Sequence, residues 1–121
     1  MASFDDGQPI FMQVADMIED DILNGTYREE DQIISVAQFS KTFQINPATI
    51  VKGIALLVNE GILYKKRGLG MYVAAEAKRI ILEKRKSRFF NELVTKLLEE
   101  ANKLNLSIDE VIERIRQGKR S

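Results

Sequence analysis

At 121 residues, 45% apolar and with only seven glycines and two prolines, the chain is long enough to bury one core, which excludes a collagen-like, proline-rich or wholly disordered protein. Cysteine and histidine are both absent, which excludes the common zinc and iron–sulfur sites, thiol nucleophiles, disulfide scaffolds and any Ser-His-Asp triad. The 18 basic and 18 acidic side chains cancel overall, yet residues 1–62 hold three basic groups (Arg28, Lys41, Lys52) against ten acidic ones, and the remainder holds 15 against eight; the split suggests an anionic partner for the second half, pairing between the halves, or chance bias.

Residues 1–7 lack the basic start and apolar stretch of a secretory signal, and the longest apolar run, residues 54–58, is far short of the roughly 20 residues that span a bilayer. A soluble, cytoplasmic protein with no membrane partner is expected. Across residues 9–24, Ile10, Val14, Met17 or Ile18, and Ile22 recur at helical spacing, with Pro9 in the first turn and Gly25 at the end. The outer face of this helix carries Asp16, Glu19, Asp20 and Asp21 and is expected to be solvated, since adjacent carboxylates on one helix do not converge on one metal ion. Ser35 can cap a short second helix ending near Phe43, with Val36, Phe39 and Phe43 facing inward. Asn46 directly before Pro47 signals the start of a third helix, which runs to Glu60 and stops at Gly61. Ile50, Ile54, Leu57 and Val58 form its apolar stripe, and Ala48, Thr49, Val51, Lys52 and Ala55 lie toward the opposite face or its flanks.

The period changes at residue 62. Ile62-Leu63-Tyr64-Lys65-Lys66 and Met71-Tyr72-Val73-Ala74, joined by Arg67-Gly68-Leu69-Gly70, predict a β-hairpin with a basic tip. No glycine or proline interrupts residues 75–117, where Leu82, Phe89 or Phe90, Leu93, Leu97, Leu98, Ala101 and Leu104 give a long helical stripe. Ser107 and Glu110 form a capping box that opens a last helix, with Ile108, Val111, Ile112 and Ile115 along one side, and residues 118–121 should fray. The expected fold is mainly α with a small β-hairpin: a winged helix-turn-helix over residues 9–74, then a two-helix dimerisation segment over 75–117. The boundary is expected near residues 74–77.

Two helices separated by a short break and followed by a two-stranded wing form the layout that places one helix in a DNA major groove, with the wing on the minor groove or backbone. Asn46, Ala48 and Thr49 supply the short side chains that let a helix end approach DNA, along with N–H groups that favour phosphate, although Asn46 and Thr49 equally serve as plain capping residues. Lys52, one helical step beyond Ala48, can take a phosphate or a guanine edge. Lys65, Lys66 and Arg67 lie beside Gly68 and Gly70, so the turn can approach the backbone closely while a basic side chain enters the minor groove; a hairpin needs such glycines with or without DNA. A phosphate-binding P-loop is excluded, because this turn joins two strands and lacks a Gly-Lys-Ser/Thr ending. Double-stranded DNA is therefore the expected partner.

The stripe of Phe89, Phe90, Leu93, Leu97, Leu98, Leu104, Ile108, Val111, Ile112 and Ile115 is too apolar to stay wet, and two isolated helices offer little surface to bury it, so a homodimer is expected. An aromatic ligand pocket at the Phe pair is the lesser alternative. No catalytic residue, metal site or cofactor is expected, since no acid–base pair or activated nucleophile is recognisable, and no residue pattern identifies a small-molecule effector.

Over about residues 9–74 the chain resembles the winged helix-turn-helix domain of the GntR-type bacterial regulators. Where that family reads Pro-Ile-Tyr-x-Gln-Ile and then Ile-x-x-Gly, this sequence has Pro9-Ile10-Phe11-Met12-Gln13-Val14 and Ile22-Leu23-Asn24-Gly25. The similarity continues through Asn46-Pro47-Ala48-Thr49-Ile50, Leu57-Val58-Asn59-Glu60-Gly61-Ile62-Leu63 and Lys66-Arg67-Gly68-Leu69-Gly70-Met71-Tyr72-Val73. The short two-helix tail looks like that of the YtrA-type subgroup. The resemblance implies a homodimeric repressor, with Ser35, Lys41, Asn46, Pro47, Ala48, Thr49, Lys52, Lys65, Lys66, Arg67, Gly68 and Gly70 as the expected DNA-binding set on a near-palindromic operator.

There are two departures. Ile33-Ile34-Ser35-Val36-Ala37 stands where the family reads Leu-Pro-Ser-x-Arg, and Val51 stands at a second arginine position in the third helix. Each lost base contact removes roughly 1–3 kcal/mol, so either the operator differs or binding is weaker. Lys41, Lys52 and the stretch Lys78-Arg79, Lys84-Arg85-Lys86 and Arg88 can compensate through phosphates, or form the solvated flank of the dimer helices. The alternative function is a winged-helix protein–protein interaction module with weak or lost DNA binding.

Overall fold

The computed structural model describes residues 7–119; what the sequence predicts for residues 1–6, 120 and 121 lies outside them. Pro9 has extended backbone and stands at the N-cap of α1 (Ile10–Leu23), just outside the first turn, where its carbonyl accepts from the amides of Met12 and Gln13. Val14, Ala15, Ile18 and Ile22 are buried along one side, with Met17 only partly covered and Ile10 exposed. Glu19 corrects the sequence reading: it is fully buried, not part of a solvated face. Helical geometry gives the reason, since Glu19 sits four residues after Ala15 and three before Ile22, on the apolar side. A buried carboxylate requires a partner, and Glu19 has one.

The Ser35 hydroxyl accepts from the Gln38 amide at 3.1 Å and starts α2 (Val36–Phe43). Phe39 is buried, but Phe43 is 37% exposed and only its ring meets Phe39, at 4.8 Å between centroids, because the helix ends there. The turn into α3 (Pro47–Asn59) passes through Gln44 in the left-handed region (φ 57°), and the Ser40 hydroxyl donates to the Ile45 carbonyl at 2.7 Å. A left-handed residue bearing a Cβ is disfavoured by about 1–2 kcal/mol, so Gln44→Gly is expected to raise stability by roughly 0.5–1 kcal/mol after the entropy of the unfolded chain is counted, read as a higher urea midpoint. Asn46 caps α3, its side chain accepting from the Ala48 amide at 2.8 Å.

Ile50, Ile54 and Leu57 of α3 pack with α1, α2 and the hairpin into one core that also holds Ile33, Ile62, Leu63 and Val73. Full burial of each such aliphatic side chain stabilises by about 1.5–3 kcal/mol. Strands β1 (Leu63–Lys66) and β2 (Gly70–Val73) pair antiparallel with Leu63 opposite Val73 and Tyr64 opposite Tyr72. A third segment, invisible in the sequence, joins them. The Glu30 and Ile33 amides donate to the carbonyls of Val73 and Met71, the Val73 amide donates to Asp31, and Gln32 bridges Tyr72.

The chain divides into two compact units after Leu82, several residues past the expected 74–77 boundary, because Ala77 and Ile81 at the start of α4 (Ala77–Arg88) are buried in the first core. In place of one uninterrupted helix, the chain then makes a π-helical segment (Phe89–Val94) before α5 (Thr95–Lys103). The apolar residues Phe89, Leu93, Leu97 and Ala101 recur every four residues, which drifts about 40° per step around a regular α-helix, and a wider turn takes up part of that drift. The capping box forms as predicted: the Glu110 amide donates to the Ser107 hydroxyl at 3.1 Å and the Ser107 amide to the Glu110 carboxylate at 3.2 Å. It opens α6 (Ile108–Lys119), which holds Gly118 and Lys119 in helix where fraying was expected. Among the described residues no helix is long and apolar enough to cross a membrane, and no group of three or more Asp or Glu side chains is placed to hold a metal ion.

Candidate nucleic-acid interface

The N-terminal turn of α3 is open. Asn46, Pro47, Ala48, Val51, Lys52 and Ala55 are exposed and Thr49 is half-buried, while Ile50, Gly53 and Ile54 face the core, so the helix presents a low, weakly charged outer face. Short side chains let a helix backbone come close to a ligand, and the first-turn N–H groups carry partial positive charge. Asn46 occupies one of those groups as cap, so it serves structure first. The Lys52 ammonium lies 4.2 Å above the centre of the Phe11 ring, which holds its charge near the middle of the helix. Ser35 is exposed but its hydroxyl is used by the Gln38 amide, and Lys41 is exposed in the last turn of α2. Ala37 is exposed as well.

The wing gathers the second set. Lys65 and Arg67 are exposed, Lys66 is half-buried, and Gly68 and Gly70 take φ of 78° and 114°, which residues with a Cβ rarely adopt. The Lys66 ammonium sits 4.1 Å above the Tyr72 ring and 5.9 Å from that of Tyr64, so this lysine braces the sheet face while Lys65 and Arg67 reach solvent. The α3 helix runs through Gly61 straight into β1, the Ile62 amide donating to the Leu57 carbonyl at 2.9 Å, so helix and wing belong to one packed unit.

Four wing residues escaped the sequence reading. Gln32 donates through its side-chain amide to the Leu69 carbonyl at 2.5 Å and sets the tip. Leu69, 61% exposed, is the apolar point of the wing. The Tyr64 phenol donates to the Glu30 carboxylate, a hydrogen bond that holds its pKa above the ordinary value, with desolvation and the Glu30 charge acting in the same direction. Tyr72 completes the cross-strand aromatic pair at 6.1 Å. The two β-prone runs place Tyr64 and Tyr72 on the hairpin but do not set their pairing; nothing local to the sequence signals that Glu30 and Gln32 meet the wing.

In the second unit, Phe89, Phe90, Leu93, Leu97, Leu98, Leu104, Ile108, Ile112 and Ile115 are all exposed, several by more than 60%, and Val111 is half-covered. Leu106 is exposed with them. Leu97, Leu106, Glu110, Val111, Arg114 and Ile115 line a groove of about 530 Å3. Phe89 and Phe90 meet edge to face, with 5.3 Å between ring centroids.

Comparison with known proteins gives a consistent picture. Residues 11–73 match the model of the family described as bacterial regulatory proteins, gntR family. The crystal structure of a GntR-family protein from Bacteroides thetaiotaomicron is 34% identical, covers 92% of this chain and 96% of its own, and superposes with a TM-score of 0.80. The HTH-type transcriptional repressor YtrA of Bacillus subtilis (strain 168) is 26% identical over 119 residues, which is 93% of this chain and 92% of YtrA. The DNA-binding domain of AraR, solved in complex with operator ORR3, is 30% identical over 61% of this chain and 87% of that one, with a TM-score of 0.54.

Proposed function

The chain belongs to the gntR family of bacterial regulatory proteins, and we propose that it works as a homodimeric transcriptional repressor of the YtrA-like subgroup on a near-palindromic operator. The observation that carries this reading is the pairing, in one packed unit, of an α3 N-terminus open to solvent with a wing whose basic tip is held out by Gln32. In this reading α3 enters the major groove through Asn46, Pro47, Ala48, Thr49 and Lys52, and Lys65, Lys66, Arg67, Gly68 and Gly70 lie at the minor groove, with Ser35 and Lys41 on flanking phosphates. The exposed apolar side chains of the second unit support a two-fold dimer, which supplies two half-sites and the affinity that one short helix lacks. The name of the YtrA relative and the operator complex of AraR support repression and operator binding. No catalytic role is proposed.

Titration of a duplex from the region upstream of the protein's own gene, followed by fluorescence anisotropy, tests the reading. Affinity is expected to fall log-linearly with salt, by about 0.9 of a log unit per phosphate contact for each decade of salt. Lys52→Ala combined with Arg67→Ala is expected to lower the magnitude of that slope by about two and to weaken binding by several-fold or more, since each removed cation releases one contact. Binding that is unchanged in this double variant removes the site assignment. A second reading, a winged-helix protein–protein module, is favoured by Ala37 and Val51 standing exposed and by Lys52 lying over the Phe11 ring. The same titration separates the two, because a module without DNA binding shows no salt-dependent affinity for any duplex.

A further inference from the structure

Beside the joint where β2 gives way to α4, wholly within the first unit, lies a cavity of about 230 Å3 that shares no residue with the helix, wing or dimer sets and only Lys78 with the flanking basic stretch. Ile22, Val73, Ala74 and Ala77 give it an aliphatic floor, and Tyr27 adds a ring whose hydroxyl oxygen accepts from the Ile34 amide at 3.3 Å. Three charged side chains line it: Arg28, Lys78 and Glu29. Among the described residues, neither Arg28 nor Lys78 has an ion-pair partner, so the lining holds two cations against the one carboxylate of Glu29, with the Asp31 carboxylate engaged nearby by the Arg28 backbone amide at 2.8 Å. We propose that this cavity binds a small organic carboxylate, its aliphatic body on the floor and its head group between Arg28 and Lys78.

Each part of the proposal follows from the lining. The volume is below the roughly 300–1,000 Å3 of pockets for drug-sized ligands, so the occupant is small. An apolar floor favours a hydrocarbon body over a bare inorganic anion, and two cations against one carboxylate select a single negative charge. The larger groove of the second unit includes Leu97, Val111 and Ile115 of the proposed dimer face and so belongs to the dimer reading already given.

Sodium hexanoate, with hexanamide and hexylammonium as its neutral and cationic counterparts, serves as the probe, titrated into the full chain while the backbone amide NMR signals of Gly25, Tyr27 and Ala75 are followed. Hexanoate is expected to give saturable shifts with a dissociation constant on the order of 1 mM, within reach of a ligand of this size. Hexanamide is expected to bind about fivefold more weakly, as suits a solvent-facing charge contact, and hexylammonium not measurably. Arg28→Gln with Lys78→Gln, both exposed positions outside the core, should bring hexanoate down to the level of hexanamide while leaving hexanamide unchanged. Equal binding of all three probes, no saturable shift, or shifts confined to Lys65, Lys66 and Arg67 overturns the proposal. No DNA is present, so the outcome stands apart from the operator reading.

Discussion

Leu93→Glu combined with Ile108→Glu is expected to produce a folded monomer whose operator affinity is lower by about a hundredfold or more. Leu93 is 62% and Ile108 63% exposed in the chain, so the substitutions remove little packing within one copy. Ile108 is moreover the first residue of α6, where a carboxylate is favoured by the helix dipole. In a two-fold dimer each change enters twice, placing four carboxylates in an apolar contact, and an unpaired buried charge costs several kcal/mol. Loss of the dimer removes the intramolecular second half-site, which is worth a factor of about 10²–10⁴. Sedimentation equilibrium reads the mass and circular dichroism the fold; a variant that remains dimeric places the interface elsewhere.

Gly53→Ala is expected to destabilise the first unit by roughly 1–3 kcal/mol, although alanine is the better helix former by about 1 kcal/mol. A Cβ at this position would stand 2.7 Å from the Phe11 carbonyl oxygen and 3.1 Å from a Val14 methyl, and the nearer of these is backbone that cannot turn aside. Helices α1 and α3 would have to move apart, opening the core around Val14, Ile18, Ile50 and Ile54. For a domain of this size each kcal/mol corresponds to about 4–8 °C in Tm. Gly118→Ala is the control with the opposite sign: its Cβ meets nothing within 4 Å, its backbone is helical, and stability should hold or rise. A Tm for Gly53→Ala at or above the parent would show that α1 and α3 are not in such close contact.

Features encoded over a few residues were legible in the sequence. The Ser35 cap, the Asn46-Pro47 start, the Ser107 and Glu110 box and the two β-prone runs each act within one turn or one hairpin, and each is found where local chemistry puts it. What escaped depends on distant neighbours. The charge of Glu19 points to water, whereas its helical position, four residues after Ala15 and three before Ile22, puts it on the buried side. Ala77 and Ile81 extend the first unit into α4 because a core formed by earlier elements receives them. The pairing of segment 30–33 with β2 and the close approach at Gly53 have no periodic signature at all, being set by where the hairpin and α1 come to rest. At the candidate interface the residue types were readable but their engagement was not: Lys52 and Lys66 are held over aromatic rings, leaving Lys65 and Arg67 as the wing cations that extend into solvent.

Hydroxyl-radical footprinting of the full chain on its upstream duplex tests most directly whether α3 and the wing grip DNA twice. Two symmetric protected blocks are expected, their centres about one helical turn, or a multiple of about 34 Å, apart, with added minor-groove protection that fades in the Arg67→Ala variant. A single block, or none at a concentration where the protein is dimeric, would contradict the account.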